Sequence, residues 1–224
     1  MARRLVGREP ASIGEGLQCS LDGVDIWLMA TGDGPSHAGV ALRALLKTLS
    51  VEALVGVGVA GGLSRDLTLG NLVVARRVLD EASGRAYTAP PSRWLDRGRQ
   101  VAGVHDGTAV SAVAIADGAE SKGRLAKLEP ATAVVDLESA AWCAAAGQAG
   151  VPWVIARAVT DTHDETLPLD FEALRDESGA VDRGRVLRRA ALQPRTWPGL
   201  LRLRRRLARA GEALAEWSLE VLQA

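Results

Sequence analysis

The sequence predicts a single α/β domain, built on a mixed, mainly parallel central sheet that is flanked by helices, with a C-terminal helical tail. Short apolar runs typical of buried strands alternate along the chain with longer segments of helical periodicity. These segments are spread evenly over 224 residues, which favours one core over two. We therefore expect a domain over residues 1–182, with residues 183–224 forming a tail that packs on it.

The composition argues against several classes of protein. The formal net charge is +0, so the chain as a whole is not built for nucleic acid. Cys19 and Cys143 form no CxxC pair and the three histidines show no ligand spacing, so we expect neither a disulfide framework nor a metal site. No apolar run approaches the ~20 residues of a membrane span, and the N-terminal MARRLVGREP lacks the apolar core of a signal peptide. A reduced, cytoplasmic protein is the simplest interpretation.

The turn after the first clear strand is a candidate anion site. Residues 24–30 predict a strand, and Gly32 and Gly34 allow a tight turn before a helix over residues 38–49, with Ser36 as its cap. Exposed N–H groups at such a turn can bind an anion. Loops of this kind also join strands to helices in every α/β protein, so the signal is weak.

Glycines punctuate the next strand. Gly56, Gly58 and Gly61 match the GxGxxG pattern of dinucleotide-binding folds. The nine residues between Gly62 and the predicted strand 72–75 leave no room for the helix which that pattern requires. We interpret this segment as a buried strand that ends in a glycine turn, where the backbone can approach a ligand closely.

The middle of the chain is less regular. Residues 79–100 are polar and contain two consecutive prolines, so they predict a surface excursion, or alternatively a lid or subunit contact that carries Tyr87 and Trp94. Residues 108–115 predict a strand, and residues 119–128 a short helix.

Two acidic clusters mark the central strand–helix–strand unit. Asp136 and Glu138 lie where its first strand meets the helix, and Asp161 follows the apolar run Val151–Val159. If these strands are parallel neighbours, their carboxyl ends meet at one rim of the sheet and the carboxylates can face a common small molecule. The alternative is that the first pair favours a helix N-terminus and that Asp161 belongs to a solvated loop.

The tail is rich in arginine. A short basic helix precedes a long helix over residues 199–222, in which apolar residues recur every three or four positions and form one stripe. Packing of this stripe on the domain is the simpler account of it. The arginines around it form either a solvated face or a surface attracted to an anionic membrane.

Three motifs, in order, resemble the nucleoside phosphorylase and nucleosidase superfamily, which cleaves the N-glycosidic bond of nucleosides. They are GVAGGL at 58–63, continued by LGNLVV at 69–74; VDLESAA at 135–141; and RAVTD at 157–161. The resemblance covers roughly residues 24–175. It implies the α/β fold named above.

The resemblance also implies roles for individual residues. Asp161 would protonate or hydrogen-bond the purine as the catalytic acid, and Glu138 would accept hydrogen bonds from the ribose hydroxyls. The charge that develops when a C1′–N bond breaks requires groups of these two kinds. The further substrate-binding residues that it implies are Asp136, Leu137, Ala60, Gly61, Thr160 and Phe171.

The implied activity is phosphorolytic cleavage of an adenine nucleoside, with phosphate as co-substrate and no cofactor. The segment 164–168 and the arginine-rich tail resemble the hopanoid-biosynthesis branch, whose implied substrate is adenosylhopane. Two alternatives remain open: a nucleosidase that uses water, of the methylthioadenosine/adenosylhomocysteine type, and a degenerate relative that binds nucleosides without turnover. The family also implies a homo-oligomer, at least a dimer.

Three departures from the family pattern bear on the nucleophile. Val59 replaces a serine that helps to hold phosphate in phosphorylases, and Asn71 replaces an aspartate. The chain also begins as if the family's first strand were missing, and with it the glutamate that activates water in nucleosidases. Phosphate and water therefore both remain open as the nucleophile.

Overall fold

The computed structural model describes residues 11–13, 16–129, 131–176 and 179–223, which contain nine strands and six α-helices. The strands are β1 (Ala11–Ile13), β2 (Gly16–Leu21), β3 (Val24–Met29), β4 (Leu54–Gly62), β5 (Leu72–Asp80), β6 (Ala86–Thr88), β7 (Val104–Ser111), β8 (Ala133–Asp136) and β9 (Trp153–Asp161). The helices are α1 (Pro35–Thr48), α2 (Arg93–Gln100), α3 (Gly118–Ala126), α4 (Ser139–Gln148), α5 (Arg183–Leu192) and α6 (Trp197–Leu222).

The central sheet is mixed, as predicted, and it closes on itself. Its order is β6-β5-β7-β8-β4-β9, and β9 also pairs with β5, so five strands form a ring with β6 attached to β5. The long ladders β4–β9 and β5–β7 are parallel, whereas β4–β8, β5–β9 and β5–β6 are antiparallel. An apolar core of buried residues from the strands and from α1, α2, α4 and α6 surrounds this ring.

The first twenty residues are short of β-branched side chains and are interrupted by Pro10, Gly14 and Gly16, which predicts a short helix or a loop. Where the structure describes this segment, it forms strands. β1, β2 and β3 make a separate antiparallel sheet. Asp22 and Gly23, both at positive φ, form the two-residue turn between β2 and β3. Asp-Gly is the dipeptide that favours such a turn, and this signal was missed. The prediction that the family's first strand is absent falls on residues 1–10, outside the described residues.

Residues 79–100 lie largely at the surface, as predicted, but they are more regular than their prolines suggested. β5 extends to Asp80, β6 follows, and α2 begins after Ser92, whose hydroxyl accepts a hydrogen bond from the N–H of Leu95. Trp94 is 3% exposed and is part of the core. The two prolines therefore separate regular elements and do not exclude them.

The long C-terminal helix is present and begins two residues before the predicted start. Its second half packs on the core through Ala210, Leu214, Trp217 and Val221, and the indole N–H of Trp217 donates to the carbonyl of Gly98 at 2.9 Å. Its first half is mostly exposed. Among the helices of the described residues, none has the length and apolar character needed to cross a bilayer.

Candidate functional site

Gly61 brings the two acidic motifs together. The prediction that β8 and β9 are parallel neighbours is wrong, because β4 lies between them and runs antiparallel to β8. Gly61 nevertheless pairs with Val135 on one side and with Asp161 on the other. Since adjacent strands lie about 4.8 Å apart, Val135 and Asp161 are about 10 Å apart across it. A Cβ at Gly61 would lie 3.0 Å from Asp161 Oδ2, so a larger residue would push this carboxylate aside.

An extra residue in β9 supports Asp161. Ala60 pairs with Val159 and Gly61 pairs with Asp161, so Thr160 has no partner of its own in the ladder. The Thr160 hydroxyl donates to Asp161 Oδ1 at 2.9 Å and lies 3.4 Å from the carbonyl of Ala60. Thr160 therefore contacts Asp161 directly, whereas Ala60 lies next to Thr160; the predicted contacts of both residues with substrate stay predictions.

A buried lysine is the principal partner of Asp161. Lys122, on α3, is completely buried and its Nζ lies 2.5 Å from Asp161 Oδ2. The same nitrogen donates to the carbonyls of Thr162 at 2.6 Å and Glu165 at 3.2 Å. An ammonium group has three N–H donors, and these three acceptors match them. No sequence pattern marked this residue, which is a single lysine in a polar helix.

Asp136 stabilises the loop that carries Glu138. Its carboxylate accepts hydrogen bonds from the hydroxyl of Ser111 at 2.7 Å and from the N–H groups of Glu138 and Ser139, each at 3.1 Å. It also accepts one from the hydroxyl of Ser139 and pairs with Arg157 Nε at 2.7 Å. Because these contacts use both oxygens, we assign Asp136 a structural role, and its predicted contact with substrate remains untested.

Arg157 links β9 to the start of α4. Its guanidinium donates to the Ser139 hydroxyl and lies 4.5 Å from the ring centre of Trp142, a cation–π contact. The absence of a side chain at Gly58 leaves the space that this group occupies. The sequence marked Arg157 as part of a motif without predicting this contact.

Glu138 binds the glycine turn at the start of α1. The N–H of Gly34 donates to Glu138 Oε1 at 2.8 Å, so the predicted anion site binds a carboxylate of the chain itself. The expected cap Ser36 lies inside the helix, which Gly34 precedes at φ 84°. Burial raises the pKa of Glu138, while the charge of Arg157 opposes this increase. Binding of an external anion at Gly32 and Gly34 stays a prediction.

Leu137 and Phe171 are half-buried. Leu137 packs against the small apolar cluster that contains Val135 and Val110. Phe171 precedes a 3-10 turn whose Glu172 accepts a hydrogen bond from the N–H of Ile115 at 2.8 Å. The predicted contacts of Leu137 and Phe171 with sugar and base therefore stay predictions.

A cavity of about 260 Å³ opens beside Asp161, between the loop that follows β9 and the start of α6. Glu138 is not among the residues that line it, so the convergence of Glu138 and Asp161 on one ligand stays a prediction. No group of three or more His, Cys, Asp or Glu side chains suited to a metal ion occurs within the described ranges.

Comparison with known proteins identifies related sequences. Residues 6–191 match the family model of the phosphorylase superfamily. The 5′-methylthioadenosine/S-adenosylhomocysteine nucleosidase of Geobacillus thermodenitrificans is 28% identical over 172 residues, which are 68% of this chain and 73% of that protein.

Solved structures share the fold. An S-adenosylhomocysteine nucleosidase of Streptococcus pyogenes, in complex with 5-methylthiotubericidin, superposes with a TM-score of 0.73 at 16% identity over 99% of this chain and 89% of its own. A futalosine hydrolase mutant of Helicobacter pylori superposes with a TM-score of 0.70 at 16% identity, over 96% of this chain and 88% of its own. At these identities the likeness shows the fold alone.

Proposed function

The chain belongs to the phosphorylase superfamily, and from this premise we propose that it cleaves the N-glycosidic bond of a purine nucleoside, with adenine as the base. The observation that carries the proposal is the pairing of Gly61 with both Val135 and Asp161, because it places the segment leading to Glu138 within a nucleoside's length of the buried Asp161.

The residues suit the charges that develop in this reaction. As the C1′–N bond breaks, the ribose gains positive charge and the departing base gains negative charge. Glu138 would accept hydrogen bonds from the ribose hydroxyls and Asp161 would face the base. The proton taken up by the base is drawn from the pair of Asp161 and Lys122, in which Lys122 carries three N–H donors.

Water is the favoured nucleophile in this proposal. The Geobacillus relative and the two solved structures are named as nucleosidases or as a hydrolase. Phosphorolysis is the second candidate, and the glycine turn at the start of α1 is the observation that favours it, because the N–H groups at a helix N-terminus can bind a phosphate.

The test measures release of adenine by the purified protein from adenosine, 5′-methylthioadenosine, S-adenosylhomocysteine and adenosylhopane. Each substrate is assayed in phosphate-free buffer and again with phosphate. Release without phosphate supports hydrolysis, and strict dependence on phosphate supports phosphorolysis. Asp161→Asn is expected to lower kcat/KM by at least about 100-fold, the typical contribution of a positioned acid.

The matched control is Asp164→Asn. Asp164 lies three residues further along the chain, has a side chain that is 60% exposed and pairs with Arg65 on the surface. It is expected to retain parent activity. Full activity of the Asp161→Asn variant would remove Asp161 from the mechanism, and a parent without turnover on every substrate would favour the degenerate, nucleoside-binding relative.

We also propose that the tail contacts an anionic membrane surface. Residues 183–209 contain ten arginines and no acidic residue. Five of the ten exposed large apolar side chains in the described ranges lie in this part of the tail, among them Leu187 (71% exposed) and Leu192 (80%). Basic and apolar groups on one surface are typical of peripheral membrane binding, and such a surface would suit a lipid-linked nucleoside.

Co-sedimentation with lipid vesicles tests this contact. Vesicles that contain phosphatidylglycerol are expected to bind the protein, and vesicles of phosphatidylcholine alone are not. Arg188→Gln with Arg189→Gln should weaken the binding by roughly tenfold or more, since each basic residue near the surface contributes about 1 kcal/mol. Equal binding to both kinds of vesicle would contradict the electrostatic part of the proposal.

A further inference from the structure

The cavity beside Asp161 is lined by charged residues from two elements. They are Asp161, Glu165, Arg195, Arg202 and Arg206. Asp161 and Glu165 belong to the end of β9 and the loop that follows it. The three arginines belong to the turn before α6 and to the first half of α6.

The acidic residues of this cavity are already neutralised. Glu165 pairs with Arg206 at 2.6 Å, and Asp161 pairs with Lys122 at 2.5 Å. The side chains of Arg195 and Arg202, in contrast, have no ion pair or hydrogen bond with any residue in the described part of the chain. Two of the arginines that line this cavity therefore lack an acidic partner among these residues.

Other features of the cavity add donors and positive potential. The hydroxyl-bearing residues Thr166 and Thr196 line it, as does Gly199 in the first turn of α6. The Thr196 hydroxyl already donates to the carbonyl of Gln193, so it can only accept a further hydrogen bond. Because Pro198 and Gly199 also line the cavity, the N-terminal turn of α6 lies beside it, and the positive potential at a helix N-terminus favours an anion there.

The size of the cavity limits its ligand. Its volume of about 260 Å³ is slightly below the ~300–1,000 Å³ of pockets that hold drug-sized ligands, which favours a small ligand or one part of a larger ligand. A tetrahedral oxyanion does fit, with several waters at about 30 Å³ each. Guanidinium groups recognise the oxygens of such an anion through paired hydrogen bonds.

We propose that this space, which we name the arginine cavity, binds a phosphoryl group through Arg195 and Arg202. The phosphoryl group is either free inorganic phosphate or the phosphate of a nucleotide whose nucleoside part lies outside the cavity. The site is distinct from the turn at Gly34, where the glycine-rich sequence before a helix led us to expect an anion. It does not depend on the proposed cleavage reaction, because binding is measured without turnover.

Isothermal titration calorimetry at constant ionic strength tests the proposal, with inorganic phosphate, AMP and adenosine as probes. The double variant Arg195→Gln/Arg202→Gln is expected to weaken the binding of phosphate, of AMP or of both by at least about tenfold. Arg204→Gln is the matched control, since Arg204 is exposed on the same helix and does not line the cavity; its affinities should stay within about twofold of the parent. Arg195 and Arg202 are both exposed in the parent, so the double variant should fold normally. Its circular dichroism spectrum verifies this.

The probes also separate the two sources of the phosphoryl group. Binding of inorganic phosphate that the double variant loses identifies the free ion as a ligand. If AMP binds at least about tenfold more tightly than both adenosine and phosphate, and the double variant loses this preference, the ligand is a nucleotide. Unchanged affinities in the double variant, an equal loss in Arg204→Gln, or no binding of phosphate and AMP by the parent would overturn the proposal.

Discussion

At the scale of single residues, the site is controlled by ionisable side chains removed from water. Glu138 is held by one N–H, Asp136 by several donors, and Asp161 by Lys122 and Thr160. Buried charged groups are stable only when their partners are in place. Replacement of Glu138, or of the lysine that pairs with Asp161, should therefore have a defined effect on stability.

Replacement of Glu138 should change how stability depends on pH. Because burial raises its pKa on folding, the carboxyl stabilises the native state below its ordinary pKa of about 4.3, and this stability is lost as pH rises through the raised pKa. Glu138→Gln does not titrate and can still accept the hydrogen bond from Gly34. Its free energy of unfolding should therefore increase relative to the parent as pH rises from 4 to 8.

Urea denaturation at several pH values measures this difference. Glu212→Gln, at an exposed position on α6, serves as the control and should leave the pH profile unchanged. A constant difference between Glu138→Gln and the parent over the whole range would show that Glu138 does not titrate differently in the folded and unfolded states.

Lys122→Met should destabilise the protein strongly. The substitution leaves the buried Asp161 carboxylate and two carbonyls without their donor, and breaking a buried pair in this way costs about 3–5 kcal/mol. Lys127→Met, at an exposed position after the same helix, should change stability by no more than about 0.5 kcal/mol. Chemical denaturation measures both variants.

A double variant isolates the pair itself. If Lys122→Met acts through Asp161, the double variant Lys122→Met/Asp161→Asn should be destabilised by much less than the sum of the two single variants. Additive effects would show that Lys122 stabilises the fold mainly through the carbonyls of Thr162 and Glu165.

At the scale of elements, glycines in β4 allow α4 to pack closely on the sheet. A Cβ at Gly56 would lie 2.8 Å from the ring of Trp142 and 3.2 Å from the side chain of Ile155. Gly56→Ala should therefore destabilise the protein by about 1–3 kcal/mol through overpacking. Gly147→Ala is the control, and its effect should have the opposite sign. A Cβ at Gly147, inside α4, would have nothing within 4 Å, so the substitution should raise the free energy of unfolding by about 0.5–1 kcal/mol. Thermal denaturation of the two variants measures the contrast.

Sequence periodicity predicted the elements with strong patterns and missed those set by one or two residues. The apolar run of β9 and the stripe of α6 were placed to within two residues at each end. The hairpin at Asp22-Gly23 and the helix that contains Trp94 were missed, because prolines, glycines and short polar segments obscured them. For the candidate site, the motifs predicted roles for Glu138 and Asp161, which stay predictions. They did not predict Lys122 as the partner of Asp161, because it comes from a separate helix that only the folded chain brings close.

At the scale of the whole molecule, ring closure could not be predicted from local pattern. The pairing of β5 with β9 joins residues at least eighty positions apart, for example Leu72 with Ala158. Closure leaves no open edge among the five ring strands, which removes a surface on which foreign strands could pair.

Assembly is a prediction at the same scale. The family resemblance implies a homo-oligomer, so size-exclusion chromatography with light scattering should give at least twice the chain mass of 23.5 kDa. The exposed apolar side chains Val40 (61%) and Val113 (54%) are available for such contacts. A single species of the monomer mass at micromolar concentration would contradict the expectation.

The unpaired Thr160 in β9 holds Asp161 through its side chain and not through the ladder. The bulge keeps the ladder in phase on both sides, so Asp161 lies opposite Gly61 with the extra residue and would stay opposite it without that residue. Deletion of Thr160 would therefore remove the hydroxyl that donates to Asp161 Oδ1 and leave the contact with Lys122. A frame-preserving loss of three nucleotides at this codon should keep every acidic and basic residue of the chain and still withdraw one of the two side-chain donors of this carboxylate.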